Sequence, residues 1–237
     1  MDLMFSYYGS KSKIIKYYSI PKYDTIIEPF AGSAQYSFKY WERQVILVEK
    51  FKLLYDVWNW LINEATPDYI MSLPLYNQSD AIYHDNIAVR DLLRLECCNG
   101  NTLCGRKVAG KYNRWSERNG RGRKRISENL HKIKHWKIIH GDYLDIPNIQ
   151  ATWFVDPPYN NHAGTGYVEN CKNINYEQLG SWCKSRLGQT IVCEELLADW
   201  LPFEFLGSPN HHIGSAKAFS NIEAFWENEN EKIPSNC

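Results

Sequence analysis

The sequence of 237 residues contains no apolar run long enough to cross a lipid bilayer. Its first residues, MDLMFSYYGSK, have neither the basic start nor the long apolar core of a signal peptide. Its seven cysteines are odd in number and show no regular framework, which indicates free thiols rather than disulfide bonds. These absences argue against membrane-spanning and disulfide-stabilised secreted proteins, and we expect a globular protein of the reducing cytoplasm.

Two phosphate-binding signatures are also missing. The sequence has no G-x-G-x-x-G segment, and GSKSK (9–13) does not have the spacing of a G-x-x-x-x-G-K-[ST] loop. A glycine turn does follow an apolar run in EPFAGSA (28–34), where small residues let a ligand approach the backbone. The next apolar run, VILVEK (45–50), ends at an acid, which suits ribose hydroxyls. The pattern predicts a nucleoside-containing cofactor without a pyrophosphate.

The formal net charge is zero, but the charges are unevenly distributed. Residues 104–137 contain twelve lysines and arginines and only two acids, Glu117 and Glu128, so that this block carries +10 and the remainder −10. The block is interior, and Tyr112 and Trp115 lie within it. These features favour a surface that binds a polyanion, with a solvated charge run as the alternative.

Apolar runs and helical periodicities alternate in the first and last parts of the chain. Strand-like runs are TIIEPF (25–30), VILVEK (45–50), KIIHGDY (137–143), TWFVDPPY (152–159), QTIVCEE (189–195), and an expected antiparallel edge pair, FEFLG (203–207) and IEAFWEN (222–228). Helical spacing occurs in SAQYSFKYW (33–41), KLLYDVWNWLINEA (52–65), AVRDLLRLECC (88–98) and YEQLGSWCKSRL (176–187). We predict a doubly wound α/β sheet formed by residues 1–65 and 137–237, interrupted by a small, mainly helical domain over 66–136.

Four predicted strands end in acids, namely Glu28, Glu49, Asp142 and Asp156. Ligands of open α/β sheets bind at the carboxyl ends of the strands. In DPPY (156–159) the carboxylate of Asp156 and the rigid carbonyl of Pro157 can accept hydrogen bonds from an amino group, and Tyr159 offers a face to a flat heterocycle. A base amine is buried in a duplex, so its nucleotide would have to be flipped out. A Pro-Pro turn without a chemical role is the alternative.

The order FSYYGSK (5–11), EPFAGS (28–33), inserted domain and DPPY resembles the Dam-like, alpha-ordered class of adenine-N6-specific DNA methyltransferases over essentially the whole chain. The resemblance implies a Rossmann-like methyltransferase sheet that uses S-adenosylmethionine, with an inserted target-recognition domain that binds double-stranded DNA. It implies direct methyl transfer to a flipped adenine amine. We expect a monomer in the cytoplasm of a bacterium or of a viral host, with no membrane contact.

The resemblance also implies roles for individual residues. The implied S-adenosylmethionine contacts are Tyr7, Lys11, Glu28, Pro29, Phe30, Ala31, Gly32, Glu49, Asp142, Tyr143 and Asp156. The implied catalytic residues are Asp156, Pro157, Pro158 and Tyr159. The segment 90–114 is similar to the DNA-contacting part of the insert, and together with the basic block it gives the DNA-binding candidates Arg106, Lys107, Lys111, Tyr112, Arg114, Arg121, Arg123, Lys124 and Arg125. The sequence departs from the family pattern at Ala34, where a second glycine is usual, and at Tyr7, where tryptophan is common.

Other chemistries are less well supported by the sequence. Cytosine-C5 methylation needs a cysteine nucleophile, usually after proline, and the chain has no Pro-Cys dipeptide. Cys97, Cys98 and Cys104 lack C-x-x-C spacing, so we expect no metal site. Amino-methylation of cytosine N4 or of RNA, and a non-catalytic DNA-binding protein on the same scaffold, stay open as alternatives. Aspartate at the first motif position favours adenine, and the intact DPPY favours an enzyme.

Overall fold

The structure, a computed structural model, describes residues 3–11, 14–98, 105–108, 110, 113–206 and 222–230. Seven strands form one sheet, and they are β1 (Thr25–Glu28), β2 (Gln44–Glu49), β3 (Lys137–His140), β4 (Ala151–Val155), β5 (Gly188–Glu195), β6 (Glu204–Phe205) and β7 (Glu223–Asn230). The strand order is β3-β2-β1-β4-β5-β7-β6. The first five strands are parallel, whereas β7 runs antiparallel to β5 and β6. The predicted α/β class and the antiparallel edge pair are confirmed.

Six α-helices accompany the sheet within the described part of the chain, and they are α1 (Gln35–Lys39), α2 (Lys52–Asn63), α3 (Pro67–Ser72), α4 (Ile87–Cys97), α5 (Arg121–Asn129) and α6 (Tyr176–Lys184). Three begin at residues whose side-chain oxygens accept a backbone N–H of the first turn: Thr66, Asn86 and Asn175. Such caps satisfy N–H groups that have no partner inside the helix. Among the described residues, no helix combines the length and apolar character that a membrane crossing requires.

The two faces of the sheet belong to two hydrophobic clusters, because successive strand residues point to opposite sides. Ile26, Leu47 and Phe154 join the cluster that contains Trp58 of α2. Their neighbours Ile27, Val48 and Trp153 join the cluster that contains Trp182 of α6. Helices therefore cover both faces, and β1 lies between β2 and β4, where the strand order changes direction. The carboxyl ends of β1 and β4 thus flank the crevice where α/β sheets bind ligands.

The segment between α2 and β3 contains α3, α4 and α5. Within its described residues the only strand-like pairing is an isolated antiparallel bridge between Ala81 and Lys107. Its buried side chains, including Val89 and Trp115, belong to the same cluster as Trp58 of the sheet's first face. The segment thus extends the cluster of that face, with α4 packed against α2, and the boundaries of a separate domain at 66–136 stay a prediction.

Candidate functional site

A cavity of about 250 Å³ opens at the carboxyl edge of β1, β2 and β4. All eleven residues predicted to contact the cofactor line it: Tyr7, Lys11, Glu28, Pro29, Phe30, Ala31, Gly32, Glu49, Asp142, Tyr143 and Asp156. The four segments that contain Glu28, Glu49, Asp142 and Asp156 therefore meet at one cavity, as the position of these acids after predicted strands indicated. The lining also includes Ser10, Tyr167 and Gln178, which the sequence did not single out.

The loop after β1 is fixed to β2 and α2 by its backbone. The Ala31 N–H donates to the Val48 carbonyl at 3.0 Å, and the Gly32 N–H donates to Oε2 of Glu49 at 3.0 Å. The indole N–H of Trp58 donates to the Gly32 carbonyl at 2.9 Å. Gly32 has φ +48°, a left-handed conformation that glycine adopts without strain. The loop is thus held open toward the cavity, with backbone atoms on its wall.

Two buried carboxyl groups lie behind this loop. Oε1 of Glu49 accepts the Phe51 N–H at 2.8 Å, and Oε1 of Glu28 accepts the Ser37 N–H of α1 at 2.7 Å. Burial raises the pKa of Glu28 to about 8 and that of Glu49 to about 7, although these hydrogen bonds oppose the rise. Both groups therefore take up a proton near neutral pH, and in that state they can donate as well as accept hydrogen bonds.

The far wall of the cavity is aromatic. The rings of Phe30 and Tyr143 stack at 5.6 Å between centroids with planes 28° apart. The Tyr143 hydroxyl donates to Oε1 of Gln178 at 3.3 Å. Beside it, Oδ1 of Asp142 accepts the Leu144 N–H at 3.2 Å, and Oδ2 lies 3.0 Å from the Lys50 ammonium. This wall combines flat apolar surface with polar groups at its rim, a combination that suits a purine.

Asp156 follows β4 directly and lies in a cluster of charged groups. The Lys11 ammonium is 3.1 Å from Oδ1 of Asp156 and 2.9 Å from Oε1 of Glu223. It also donates to the Tyr159 hydroxyl and lies 4.3 Å from the centre of that ring. Burial raises the pKa of Asp156 to about 6, and Lys11 limits the rise. Burial opposes the charge of Lys11, but Asp156 and Glu223 keep its pKa above the ordinary value.

The four residues of DPPY face different surroundings. Asp156 and Pro158 line the first cavity, whereas Tyr159 lines a neighbouring cavity of about 390 Å³. Lys11 lines both cavities. The Tyr176 hydroxyl of α6 donates to the Pro158 carbonyl and fixes the turn. Pro157 is in neither lining, so the predicted role of its carbonyl stays a prediction.

The segment after DPPY packs against the N-terminal segment and closes the second cavity. The Tyr167 ring lies 5.1 Å from the Tyr8 ring in an edge-on contact. A Cβ added to Gly9, which has φ +73°, would lie 1.9 Å from the Tyr167 hydroxyl oxygen. A Cβ added to Gly164 would lie 1.9 Å from the Tyr159 carbonyl oxygen. Glycine at position 9 thus permits the close approach of the two segments, and glycine at position 164 lets the chain fold back onto Tyr159.

The basic block divides into exposed and internally bonded residues. Arg106, Lys107, Arg121 and Lys124 are exposed. Arg125 donates to Oε1 of the fully buried Glu96 at 2.8 Å, Arg123 donates to the Leu73 carbonyl at 3.0 Å, and Arg114 donates to Oγ of Ser6. A buried acid and a helix-terminal carbonyl both need donors, which explains these contacts. Lys111 and Tyr112 lie outside the described residues.

Glu223 is the main site residue that sequence reasoning missed. Its Oε1 accepts the hydroxyls of Tyr18 and Tyr159, each at 2.5 Å, in addition to the contact with Lys11. The sequence did contain a signal. Because β7 runs antiparallel, its first residue lies at the carboxyl edge of the parallel strands, and Glu223 pairs with Glu195 at the end of β5.

Metal ligation finds no support in the described part of the chain, where no group of three or more His, Cys, Asp or Glu side chains could hold an ion. Cys97 and Cys98 are buried free thiols, and Cys104 lies outside the described residues.

Comparison with known proteins bears on both the fold and the motifs. No curated protein matches the chain. A family model described as D12 class N6 adenine-specific DNA methyltransferase matches residues 7–191. The match covers the segments that form the first cavity, from Tyr7 through DPPY, and it extends into β5. The sheet is accordingly a Rossmann-like methyltransferase sheet, and the chain belongs to the D12 class of N6 adenine-specific DNA methyltransferases, enzymes that methylate adenine in DNA.

Proposed function

We propose that the protein transfers a methyl group from S-adenosylmethionine directly to the N6 amine of an adenine flipped out of double-stranded DNA. The observation that carries the proposal is the pair of adjoining cavities that share Lys11, with Asp156 on the first and Tyr159 on the second. Two ligands that meet at one point need such an arrangement, because the reacting atoms must approach to within about 3–3.5 Å.

The first cavity fits S-adenosylmethionine. Glu49 at the end of β2 suits the ribose hydroxyls, and the stacked Phe30 and Tyr143 suit the adenine ring. The backbone at Gly32 permits close approach. Within the described residues, the buried Oγ of the half-buried Ser10 in this lining has no hydrogen-bond partner, as expected of an atom that a polar ligand would satisfy. When bound there, S-adenosylmethionine supplies an electrophilic methyl group.

Asp156 orients the target amine in this proposal. Its carboxylate accepts a hydrogen bond from an amine hydrogen, which fixes the nitrogen and directs its lone pair toward the first cavity. As the bond from the nitrogen to the methyl carbon forms, the bond from that carbon to sulfur would break and release the thioether. The nitrogen gains positive charge, which a carboxylate already in place stabilises, and its extra proton is then lost to water. Because the pKa of Asp156 is raised to about 6, the carboxylate is ionised above that pH, and the rate should fall as pH drops through about 6.

The second cavity suits a flat base. Tyr8, Tyr159 and Tyr167 all contribute to its lining, and aromatic rings stack on bases of any sequence. A base can enter only from a nucleotide that has left the duplex. Arg106, Lys107, Arg121 and Lys124 of the basic block are exposed and so are available for phosphate contacts.

A methyl-transfer assay tests the proposal. The protein is incubated with unmethylated double-stranded DNA and labelled S-adenosylmethionine, and the DNA is digested to nucleosides for mass spectrometry. We expect N6-methyladenine, reduced at least about 100-fold by Asp156→Ala because the orienting carboxylate is lost. Asp24→Asn is the matched control, since the Asp24 side chain is 91% exposed on the surface and touches neither cavity.

The product identifies which part of the proposal fails. N4-methylcytosine would overturn the base while keeping the chemistry. Methylation of RNA alone would overturn the DNA duplex as substrate. No methylated base across diverse DNA and RNA would contradict the proposed reaction, and calorimetry with S-adenosylmethionine would then show whether the first cavity binds it.

A further inference from the structure

Glu223 comes from a part of the chain beyond the family match, which ends at residue 191. It begins β7, and its side chain reaches the reactive cluster, Lys11, Asp156 and Glu223, at the carboxyl ends of the parallel strands. Three donors converge on its Oε1: the Tyr18 and Tyr159 hydroxyls at 2.5 Å each and the Lys11 ammonium at 2.9 Å. The proposed function assigns no role to the Glu223 carboxylate.

The cluster contains one ammonium between two carboxylates. The side chain of Lys11 is only 9% exposed, so its charge must be compensated within the protein. If Asp156 were the only acid, it would be the sole counter-ion of Lys11, and its oxygens would be drawn toward the ammonium. Glu223 acts as a second counter-ion of Lys11. Asp156 keeps 23% of its side-chain surface exposed, on the side of the first cavity.

We propose that Glu223 is a positioning residue for methyl transfer, which holds Lys11 and Tyr159 between the two cavities and leaves the Asp156 carboxylate free for the target amine. This inference rests on the proposed function. The second carboxylate also makes the cluster net negative, which complements the positive charge that develops on the amine nitrogen. Through the Tyr159 hydroxyl, the same carboxylate fixes the ring proposed to stack on the base.

Other titratable groups face this cluster from the surrounding elements. Tyr18 and Tyr167 contribute hydroxyls, Cys193 of β5 contributes a thiol, and Glu28 of β1 contributes a carboxyl group. Burial raises the pKa values of Tyr18, Tyr167 and Cys193 well above neutral, so these three groups stay uncharged across pH 5–8. Glu28 titrates near pH 8. Among the groups of this cluster the change near pH 6 belongs to Asp156, whereas Glu49 of the first cavity titrates near pH 7 and is followed separately.

Glu223→Gln tests the inference, because an amide keeps the size and the accepting oxygen but removes the charge. The matched control is Glu227→Gln on the same face of β7, where the carboxylate accepts from Gln189 and Ser19 instead of Lys11. We expect Glu223→Gln to lower the single-turnover rate about 10- to 100-fold with little change in S-adenosylmethionine affinity. Glu227→Gln should leave both unchanged.

A second readout needs no activity. Aspartate labelled with ¹³C at the carboxyl carbon reports the titration of Asp156, assigned by comparison with Asp156→Asn. The negative charge of Glu223 favours the protonated form of Asp156, so its removal should lower the pKa of Asp156 from about 6. The acid limb of the rate profile should move to lower pH by the same amount. Glu223→Asp, which keeps the charge, should restore most of the Asp156 pKa.

An unchanged or higher Asp156 pKa in folded Glu223→Gln would overturn the inference, as would a rate equal to that of the unaltered protein. A loss of rate without a shift of the acid limb would reduce Glu223 to a structural role and likewise overturn it. The carboxyl titration can be measured even if no methyl transfer is found. A failure of the proposed function would therefore be distinguishable from a failure of this inference.

Discussion

Two carboxylate clusters in this protein have opposite character. The reactive cluster, Lys11, Asp156 and Glu223, places two acids around one base beside a cavity. In the junction cluster, Ser6, Glu96, Arg114 and Arg125, the single carboxylate of Glu96 is fully buried. Its Oε1 accepts from the Ser6 N–H at 2.6 Å and from Arg125 at 2.8 Å, and Arg114 donates to Oγ of Ser6.

The difference indicates that the reactive cluster serves a reaction, whereas the junction cluster stabilises the fold. An acid that is sealed from water and bonded through one oxygen to two donors holds its neighbours together, and here it joins α4, α5 and the N-terminal segment. An excess of acid at an open cavity instead leaves one carboxylate available to a ligand. The two clusters are linked, since Ser6 precedes Tyr7 of the first cavity. The basic segment that carries Arg125 thus helps to position the wall of the proposed cofactor site.

The largest expected contrast is in stability. Glu96→Ala should lower the free energy of unfolding by about 3 kcal/mol, because it leaves the half-buried Arg125 and the Ser6 N–H without their partner. Asp156→Asn should not lower it at all at neutral pH. Folding raises the pKa of Asp156, so the free energy of unfolding falls as pH rises from about 4 to about 6 and the carboxylate ionises. Asparagine does not ionise, so the variant avoids this decrease. Urea unfolding of both variants at pH 4 and pH 8 measures the effect.

Methyl transfer by the same two variants completes the contrast. The folded fraction of Glu96→Ala should retain activity within about tenfold, whereas Asp156→Asn should lose at least about 100-fold. If Asp156→Asn were destabilised and Glu96→Ala were not, the assignment of a reactive role to the first cluster and a stabilising role to the second would be wrong.

A smaller contrast separates two neighbouring residues of α5. Arg125→Gln should lower the free energy of unfolding by about 3 kcal/mol, because Glu96 is left as a buried carboxylate. Lys124→Gln should change it by less than about 1 kcal/mol, since Lys124 and its partner Glu128, 3.7 Å away, are both exposed.

For DNA binding, Lys124→Gln should have the larger effect and Arg125→Gln the smaller. Lys124→Gln should reduce the magnitude of the slope of log affinity against log salt concentration by about 1, as expected for one lost phosphate contact. Fluorescence anisotropy at several salt concentrations measures this slope. If Arg125→Gln changed the slope while leaving stability intact, Arg125 would belong to the DNA surface, as its place in the basic block first indicated.

Local sequence patterns predicted most of the sheet and the first cavity. The run TWFV followed by DPPY identified β4 and its end, because a buried strand and a proline turn are both local signals. Helix α1 is shorter than its pattern predicted, with Gln35–Lys39 helical instead of 33–41. The reason is the left-handed conformation of Ala34, which delays the helix start.

Long-range contacts account for what the sequence did not reveal. Glu223 lies among several acids of a strand, and only the antiparallel direction of β7 brings it to Lys11. Similarly, a count of positive charge cannot distinguish Arg125, which meets a buried acid one helix away, from the exposed Lys124. Both outcomes depend on which elements pack together, and residue type alone does not encode that.

Exchanges of glycine and alanine beside the junction cluster and the first cavity should have smaller effects than the loss of Glu96 or Asp156. A Cβ on Gly122 of α5 would lie 2.5 Å from Oε2 of Glu96 and 2.9 Å from the Arg114 carbonyl oxygen. Gly122→Ala should therefore lower the free energy of unfolding by about 1–3 kcal/mol, although alanine is the better helix former. Thermal unfolding measures the loss, and an unchanged midpoint would mean that α5 can move away from Glu96 without penalty.

The reverse exchange, Ala34→Gly, concerns the loop that lines the first cavity. Ala34 has φ 46° and ψ 49°, so this alanine already adopts the conformation for which glycine is suited. Glycine would relieve about 1–2 kcal/mol of backbone strain but would lose a buried methyl group and gain freedom in the unfolded chain. These terms nearly cancel, so the free energy of unfolding should change by less than about 1 kcal/mol. Because the loop path is the same, calorimetry should find S-adenosylmethionine affinity within about threefold. A large gain in affinity would show instead that alanine at this position tightens the loop against the cofactor.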